Sequence, residues 1–448
     1  MSLRILLASD HYPPFIGGAH RQTQLLAHEL QRRGHTVNVA TVWQDGLPEE
    51  ENDAQVQVFR LKQLRALRRQ SLTDRMQRHQ PPFPDPITVL ALRRLIKDFQ
   101  PEVIHAHGWF TYSVAAALLG LNVPLLISTR DYGYGCPTRI LVYQGATICS
   151  GPALAKCLGC ADKLYGTSKG WTATWGVLLG RHLLRRKVHG IHNISTYTQE
   201  ITRRDFLGEH KPNSTSNRSV VETVIPSFRE DDADQNLEND PQVQPYLEQL
   251  PSEKFILYVG ALRRFKGVYQ LLEAYARLNA PPPLVLIGTV EHDSPQAYPP
   301  GVILLQNLPH QAVMAAWDRS LFGVTPSLGA EPLGSVVYEG MSRGKAVIGT
   351  TPGGHADMIR DGETGLLVPA GDVEALTQAM QKLLAHPEQR EQMGLAARER
   401  ARLFTASVAV PQFEHFYQRV IDFAGGRTPR GRSHEVLESS LVDQPSSQ

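Results

Sequence analysis

The sequence predicts an α/β protein built from two doubly wound halves. Three observations carry that expectation. Short β-branched runs alternate with helix-patterned stretches, the alternation restarts near residue 254, and an acidic segment poor in apolar residues separates the two series. With 448 residues, 42% of them hydrophobic and 20% charged, the chain has material for two cores. A formal net charge of +2 is too small to argue for nucleic acid, and none is expected as a partner.

Taken in order, "MSLRILLASD" ends its short apolar run at Asp10 and reads as a first core strand rather than a leader or a membrane span. A cytoplasmic protein is expected, and any membrane contact would be peripheral, at the inner face. A helix follows over about 20–33, then the strand-like runs "TVNVAT", "EVIHAH" and "PLLIST". These define a Rossmann-like first domain over 1–228. The run "REDDADQNLENDPQVQP" marks a surface linker at 229–250. The rhythm resumes with "KFILYVG", a helix over about 267–278, then "PLVLIG", "GVILLQ", "SLFGVTPS", "KAVIGT" and "GLLVPA", giving a second domain over 251–411. The patterned stretch "PQFEHFYQRVIDFAG" supplies a helix at 412–424, and residues 425–448 have the composition of a disordered tail.

Chemistry concentrates in "GAEPLGSVVYEGMSRG". The turn after the strand-like "LFGVTPS" places Glu331 at the carboxyl end of a strand, where open α/β sheets bind ligands, and Glu339 more than one turn into the next helix. The free backbone N–H groups of Gly334, Ser335 and Val336, with Leu333 just before them, suit a phosphate or diphosphate, leaving Glu339 for a ribose and Glu331 for a sugar. On spacing alone, a solvent-exposed loop glutamate and a surface helix glutamate are equally good readings.

The longer stretch "EPLGSVVYEGMSRGKAVIGTTPGGHADMIRDGETGLLVPAGDVEAL" resembles the donor-binding region of retaining glycosyltransferases of family four, with the glutamate, seven residues, glutamate signature at Glu331 and Glu339. The resemblance implies the GT-B fold: two Rossmann-like domains facing a cleft, the last helix returning to the first domain. It implies that Glu331 contacts the donor sugar, Glu339 the ribose, and the helix start the diphosphate.

In "YVGALRRFKGV", Lys266 emerges at a loop mouth beside Arg263 and Arg264, cations that could stabilise a departing nucleoside diphosphate. The family usually carries arginine directly after the first glycine; this chain has Ala261. In the first half, Gly17 and Gly18 of "SDHYPPFIGGAHRQ" match a loop that contacts acceptor and diphosphate in the family, although a plain strand-to-helix turn would use glycines too. "EVIHAHGWF" sets His105 and His107 on one strand face. His105 reads as a hydrogen-bonded core histidine, and His107 matches the family histidine beside the donor sugar. Asp131 of "STRDYGYG" could position an acceptor hydroxyl or simply form a turn.

All four cysteines, Cys136, Cys149, Cys157 and Cys160, fall in an insertion at about 132–187. Their clustering and the C-x-x-C pair point to a structural zinc, with an iron–sulfur cluster second, and no catalytic metal is expected. Downstream, "KGWTATWGVLLGRHLLRRKVHG" combines Trp171 and Trp175 with several arginines. It reads either as an interfacial helix at an anionic membrane or as a packing helix with solvated arginines, and Gly176 and Gly180 weaken its helical signal.

The function expected is therefore retaining transfer of a sugar from a nucleoside-diphosphate sugar, UDP- or GDP-linked first, to a glycan or lipid-linked acceptor in polysaccharide or glycolipid synthesis. The alternative is a GT-B binding module that holds a nucleotide sugar or glycan for a partner enzyme without turnover.

Overall fold

A computed structural model describes residues 2–14, 18–64, 80–145, 147–208, 220–230, 237 and 240–427. The expected tail from 428 onward and part of the acidic linker, 231–236 and 238–239, lie outside the described residues, as does Gly17.

The first half forms an eight-stranded sheet from β1 (Arg4–Ser9), β2 (Thr36–Val42), β3 (Glu50–Asp53), β4 (Val56–Leu61), β5 (Val103–His107), β6 (Leu125–Thr129), β9 (Val188–Asn193) and β10 (Val221–Val224). Between β6 and β9 a two-stranded hairpin, β7 (Val142–Tyr143) and β8 (Thr147–Ile148), sits in the cysteine insertion. The sheet order is β10-β9-β6-β5-β1-β2-β4-β3, parallel except for β3 at the edge. β5 and β6 are buried at every position, as expected where helices cover both faces of a parallel sheet.

The second half forms a six-stranded parallel sheet of β11 (Ile256–Val259), β12 (Leu284–Ile287), β13 (Val302–Leu305), β14 (Phe322–Val324), β15 (Val347–Thr351) and β16 (Gly365–Pro369), in the order β13-β12-β11-β14-β15-β16. Each sheet is wound outward in both directions from a central pair. The winding reverses between β1 and β5 in the first sheet and between β11 and β14 in the second. Such reversals open a crevice at the carboxyl ends of the strands. The two α/β sheets together make a GT-B architecture.

The last helix, Ala406–Ala424, begins before the residues that the sequence assigns to it. Pro411 reads as a helix start but lies inside, where burial of Ala406, Ala409 and Val410 holds the preceding turn in place. Its Phe413, Phe416, Tyr417 and Val420 join Ile5, Leu7, Leu126 and Val221 in one core of the first half. Glu414 accepts two hydrogen bonds from Arg33 and lies 2.9 Å from His35 Nε2. The two chain crossings between the halves run side by side: Arg229 N–H donates to the Phe404 carbonyl, and Ala406 N–H to that of Arg229.

The stretch holding Gly176 and Gly180 is one continuous helix, Thr167–Lys187. A Cβ on Gly176 would come within 2.6 Å of Pro82, and one on Gly180 would overlap the Tyr112 ring. Both glycines thus serve close approach, which outweighs their poor helix propensity.

Candidate functional site

The loops after β11 and β14 flank the reversal point of the second sheet. After β11, a single 3₁₀ turn, Arg264–Lys266, ends at Gly267, whose φ of 74° is left-handed. A Cβ there would overlap the Pro326 carbonyl, so glycine lets the two loops touch. Phe265 carbonyl accepts from Leu328 N–H at 2.9 Å, fixing their register. Lys266 Nζ is thereby delivered to Glu331, 3.0 Å from Oε1 and 2.7 Å from Oε2, and Ser327 Oγ donates to Oε2 at 3.0 Å. Burial pushes the Glu331 carboxyl up, but Lys266, His355 and these hydrogen bonds outweigh it and hold it below the usual glutamate range.

Beneath this loop runs the turn that follows β15. Gly354 N–H donates to the Glu331 carbonyl at 2.7 Å, and a Cβ on Gly353 would lie 2.9 Å from the Glu331 nitrogen. Next in sequence, His355 is buried, and its Nδ1 accepts the Thr350 N–H at 3.0 Å. That bond leaves the neutral ring's proton on Nε2. Burial depresses the His355 pKa to about 4, so the ring is neutral at pH 7. Its Nε2 faces Gly334, where an added Cβ would approach to 2.6 Å.

Gly334, at φ 86°, caps the helix Ser335–Ser342 and has no side chain to bond its first N–H groups. Leu333 is buried and Ser335 exposed at this start. On the far side, burial raises the pKa of Glu339, while Arg229 and Arg21 partly offset it. Arg229 donates to Ser342 Oγ and lies 3.1 Å from His310 Nε2, and His310 Nδ1 stands 3.8 Å from Glu339. The two glutamates therefore occupy different environments on either side of an open helix start: Glu331 ion-paired and ionised, Glu339 desolvated. The arrangement offers an anion seat between two carboxylates able to accept from hydroxyl groups.

Other residues singled out in the sequence lie apart from this loop. His105 is a core histidine, with Nδ1 2.9 Å from the Tyr417 hydroxyl and Nε2 2.6 Å from Ser128 Oγ. His107 is buried at the carboxyl end of β5, and its Nδ1 accepts from Arg130 Nε at 3.3 Å. Gly18 opens the helix Gly18–Arg32. Arg263 pairs with Asp293 at 3.1 Å and stacks on Phe265, and Arg264 stacks on Tyr269. The Asp131 carboxylate accepts from Gly133 N–H at 2.7 Å and from Arg139 at 2.5 Å, so the turn-forming reading describes its contacts.

The cysteine insertion reaches the second half. Tyr132 hydroxyl donates to the Ala330 carbonyl at 2.9 Å, and a Cβ on Gly329 would meet Val142 at 2.6 Å. Cys136 Sγ lies 3.1 Å from Thr138 Oγ1, and Cys149 Sγ donates to the Gly151 carbonyl at 3.5 Å. Burial raises the Cys157 thiol pKa to about 11, with Cys136 and Cys149 adding to the shift. The donor set suits zinc, but among the described residues no three metal-ligating groups stand close enough to hold an ion.

Sequence reasoning missed Ser327, Tyr132, Arg229, His310 and His355. For His355 a signal was present, since "TPGGH" puts two glycines and a histidine directly after a strand's carboxyl end.

Comparison with known proteins agrees with this layout. A model of the glycosyl transferase 4-like domain matches residues 17–212, and a model of glycosyl transferases group 1 matches 245–400. Over 160 residues the chain is 36% identical to the D-rhamnosyltransferase WbpZ of Pseudomonas aeruginosa, covering 34% of this chain and 42% of that protein. It is 31% identical over 169 residues to the trehalose synthase of Pyrococcus horikoshii, covering 34% and 40%. The chain thus aligns with about two fifths of the length of these curated relatives. Sucrose-phosphate synthase from Thermosynechococcus elongatus shares the fold over 93% of this chain and 99% of its own, with TM-score 0.68 and 20% identity. Anabaena HepE, solved with UDP and glucose, does so over 93% and 99%, with TM-score 0.62 and 16% identity.

Proposed function

We propose that the chain, whose two halves match glycosyltransferase family models, moves a sugar from a nucleoside-diphosphate sugar to an acceptor hydroxyl with retention of anomeric configuration. The observation that carries the proposal is the uncapped helix start at Gly334, set between the Lys266–Glu331 pair and the desolvated Glu339. The diphosphate would lie on the helix N–H groups, Glu339 would take the ribose hydroxyls, and Glu331 those of the sugar.

In the reaction, the bond from C1 to the phosphate oxygen breaks and its electron pair leaves on the diphosphate. The acceptor oxygen bonds C1 on the same face and passes its proton to the departing phosphate. Lys266 and the helix start stabilise the growing negative charge, and His107 lines the sugar from the first domain. Glu331 holds hydroxyls and does not attack. The acceptor is a glycan or a lipid-linked glycan, and the donor a UDP- or GDP-sugar. The place of work is the cytoplasmic face of a membrane, reached by peripheral contact; among the described residues no helix is long and apolar enough to cross one.

We further propose that the four cysteines take a structural zinc with no part in transfer. Metal analysis should then find about one zinc per chain, lost in Cys157→Ser/Cys160→Ser; a metal-free native protein would refute this.

For the transfer itself, release of nucleoside diphosphate from UDP- and GDP-sugars is compared between the wild type and Glu331→Ala. A loss of at least about a hundredfold is expected in a variant that still melts cooperatively. Equal turnover in both would remove Glu331 from the site.

A further inference from the structure

A second cavity lies away from the helix start at Gly334. It encloses about 490 Å³ between the cysteine insertion, the helix Thr167–Lys187 and the turn Arg204–Gly208. Four cations line it, Lys156, Arg181, Arg185 and Arg204, against one carboxylate, Asp205. That carboxylate is already engaged by Arg204 at 2.7 and 2.9 Å. The excess of positive charge is felt by its neighbours. Burial lowers the pKa of His182, and Arg181, Arg185 and Arg186 lower it further; burial and then Arg181 do the same to Arg185. Arg181 Nε is buried and finds no hydrogen-bond partner among the described residues. The helix Leu154–Tyr165 begins at the cavity wall after Ala153, which has no polar side chain to cap it, so the positive end of the helix adds to the same basic space.

The outer face of the helix Thr167–Lys187 is apolar where a soluble helix would be polar. Trp171, Trp175 and Leu179, spaced by four, are 51%, 40% and 61% exposed. His182 and Arg186 are exposed as well and extend this face toward the helix end. Tryptophan beside basic residues is the pattern of helices that lie in the headgroup region of a bilayer. A soluble phosphate compound would account for the cations but not for the ridge.

We infer that this cavity binds the phosphate or diphosphate headgroup of an anionic lipid while the Trp171–Leu179 ridge rests in the membrane interface. Asp205 also lines a small cleft with Asp131 and Tyr132, whose hydroxyl bonds Ala330, so the headgroup would sit on the side of the first domain that faces the Glu331 loop. The inference rests on the transfer reading only in making the lipid a carrier or neighbour of the acceptor.

The test is co-sedimentation with vesicles of phosphatidylcholine alone and with about 20 mol% phosphatidic acid. The wild type should pellet only with the anionic vesicles. Each basic side chain near such a surface is worth about fivefold, so Lys156→Gln/Arg181→Gln should bind about thirtyfold more weakly. Trp171→Ala/Trp175→Ala should also lose binding. Both variants should keep the wild-type melting response to nucleotide, which separates this outcome from failure of the donor site. No pelleting, or equal pelleting of Lys156→Gln/Arg181→Gln, would overturn the inference. So would stabilisation by inorganic pyrophosphate without vesicle binding, which would reassign the cavity to a soluble phosphate compound.

Discussion

At the scale of single residues, the two glutamates differ in what ionisation costs them. Glu331 is ionised against Lys266, whereas Glu339 is largely buried with His310 Nδ1 3.8 Å away. A carboxyl whose folded pKa is raised weakens the fold above that pKa and ceases to do so as pH falls through it toward the unfolded value. Glu339→Gln should therefore raise the melting temperature of the free protein at pH 7, by roughly 1–3 °C, with the gain vanishing at acid pH. The same variant should bind nucleotide more weakly if Glu339 accepts from a ribose. Glu331 has the opposite sign: its pairing stabilises the fold above the unfolded carboxyl pKa and is lost as pH falls through the lower folded value. Melting scans of Glu339→Gln and Glu331→Gln from about pH 3 to neutrality check these directions.

At the scale of elements, the loops matter more than the strands. Tyr132 links the cysteine insertion to Ala330, one residue before Glu331. Tyr132→Phe removes the donor to that carbonyl and should lower kcat roughly three- to tenfold while leaving the nucleotide Kd unchanged, the pattern of a positioning residue. A loss confined to nucleotide binding would contradict that role. Four strands of the first sheet and all six of the second were legible because buried parallel strands are continuous apolar runs, as in "RILLAS" and "PLVLIG", whereas β4, β9 and β10 were not. β3, "EEND", was not, since an exposed antiparallel edge carries no apolar signal. Glu331 and Lys266 were legible from spacing and resemblance. Arg229, His310 and Tyr132 reach the site only through long-range packing, which no local pattern encodes.

At the scale of the molecule, the last helix ties the end of the chain to its beginning. Five of its buried side chains, Val410, Phe413, Phe416, Tyr417 and Val420, face the core of the first half. At about 1.5–3 kcal/mol each, their burial is worth roughly 7–15 kcal/mol, comparable with the whole stability of a domain. A chain cut after Thr405 should therefore lose the cooperative melting of its first half and aggregate; an intact two-step melt would contradict this packing account. A further contact bridges the halves near the cleft, where Thr196 N–H and Oγ1 donate to Asp357 at 2.6 Å. Asp357 lies two residues beyond His355, so the donor loop and the junction between the halves share one short helix, His355–Met358.

The central claim is that the helix start at Gly334 seats a nucleoside diphosphate, and melting the purified protein with UDP, GDP, ADP and TDP in turn tests it most directly. A nucleotide at a hundred times its Kd adds about 2.7 kcal/mol, a clear shift. One nucleotide should raise the melting temperature of the wild type, and Glu339→Ala should abolish that rise. The absence of a shift with all four would contradict the seat, and with it the donor site.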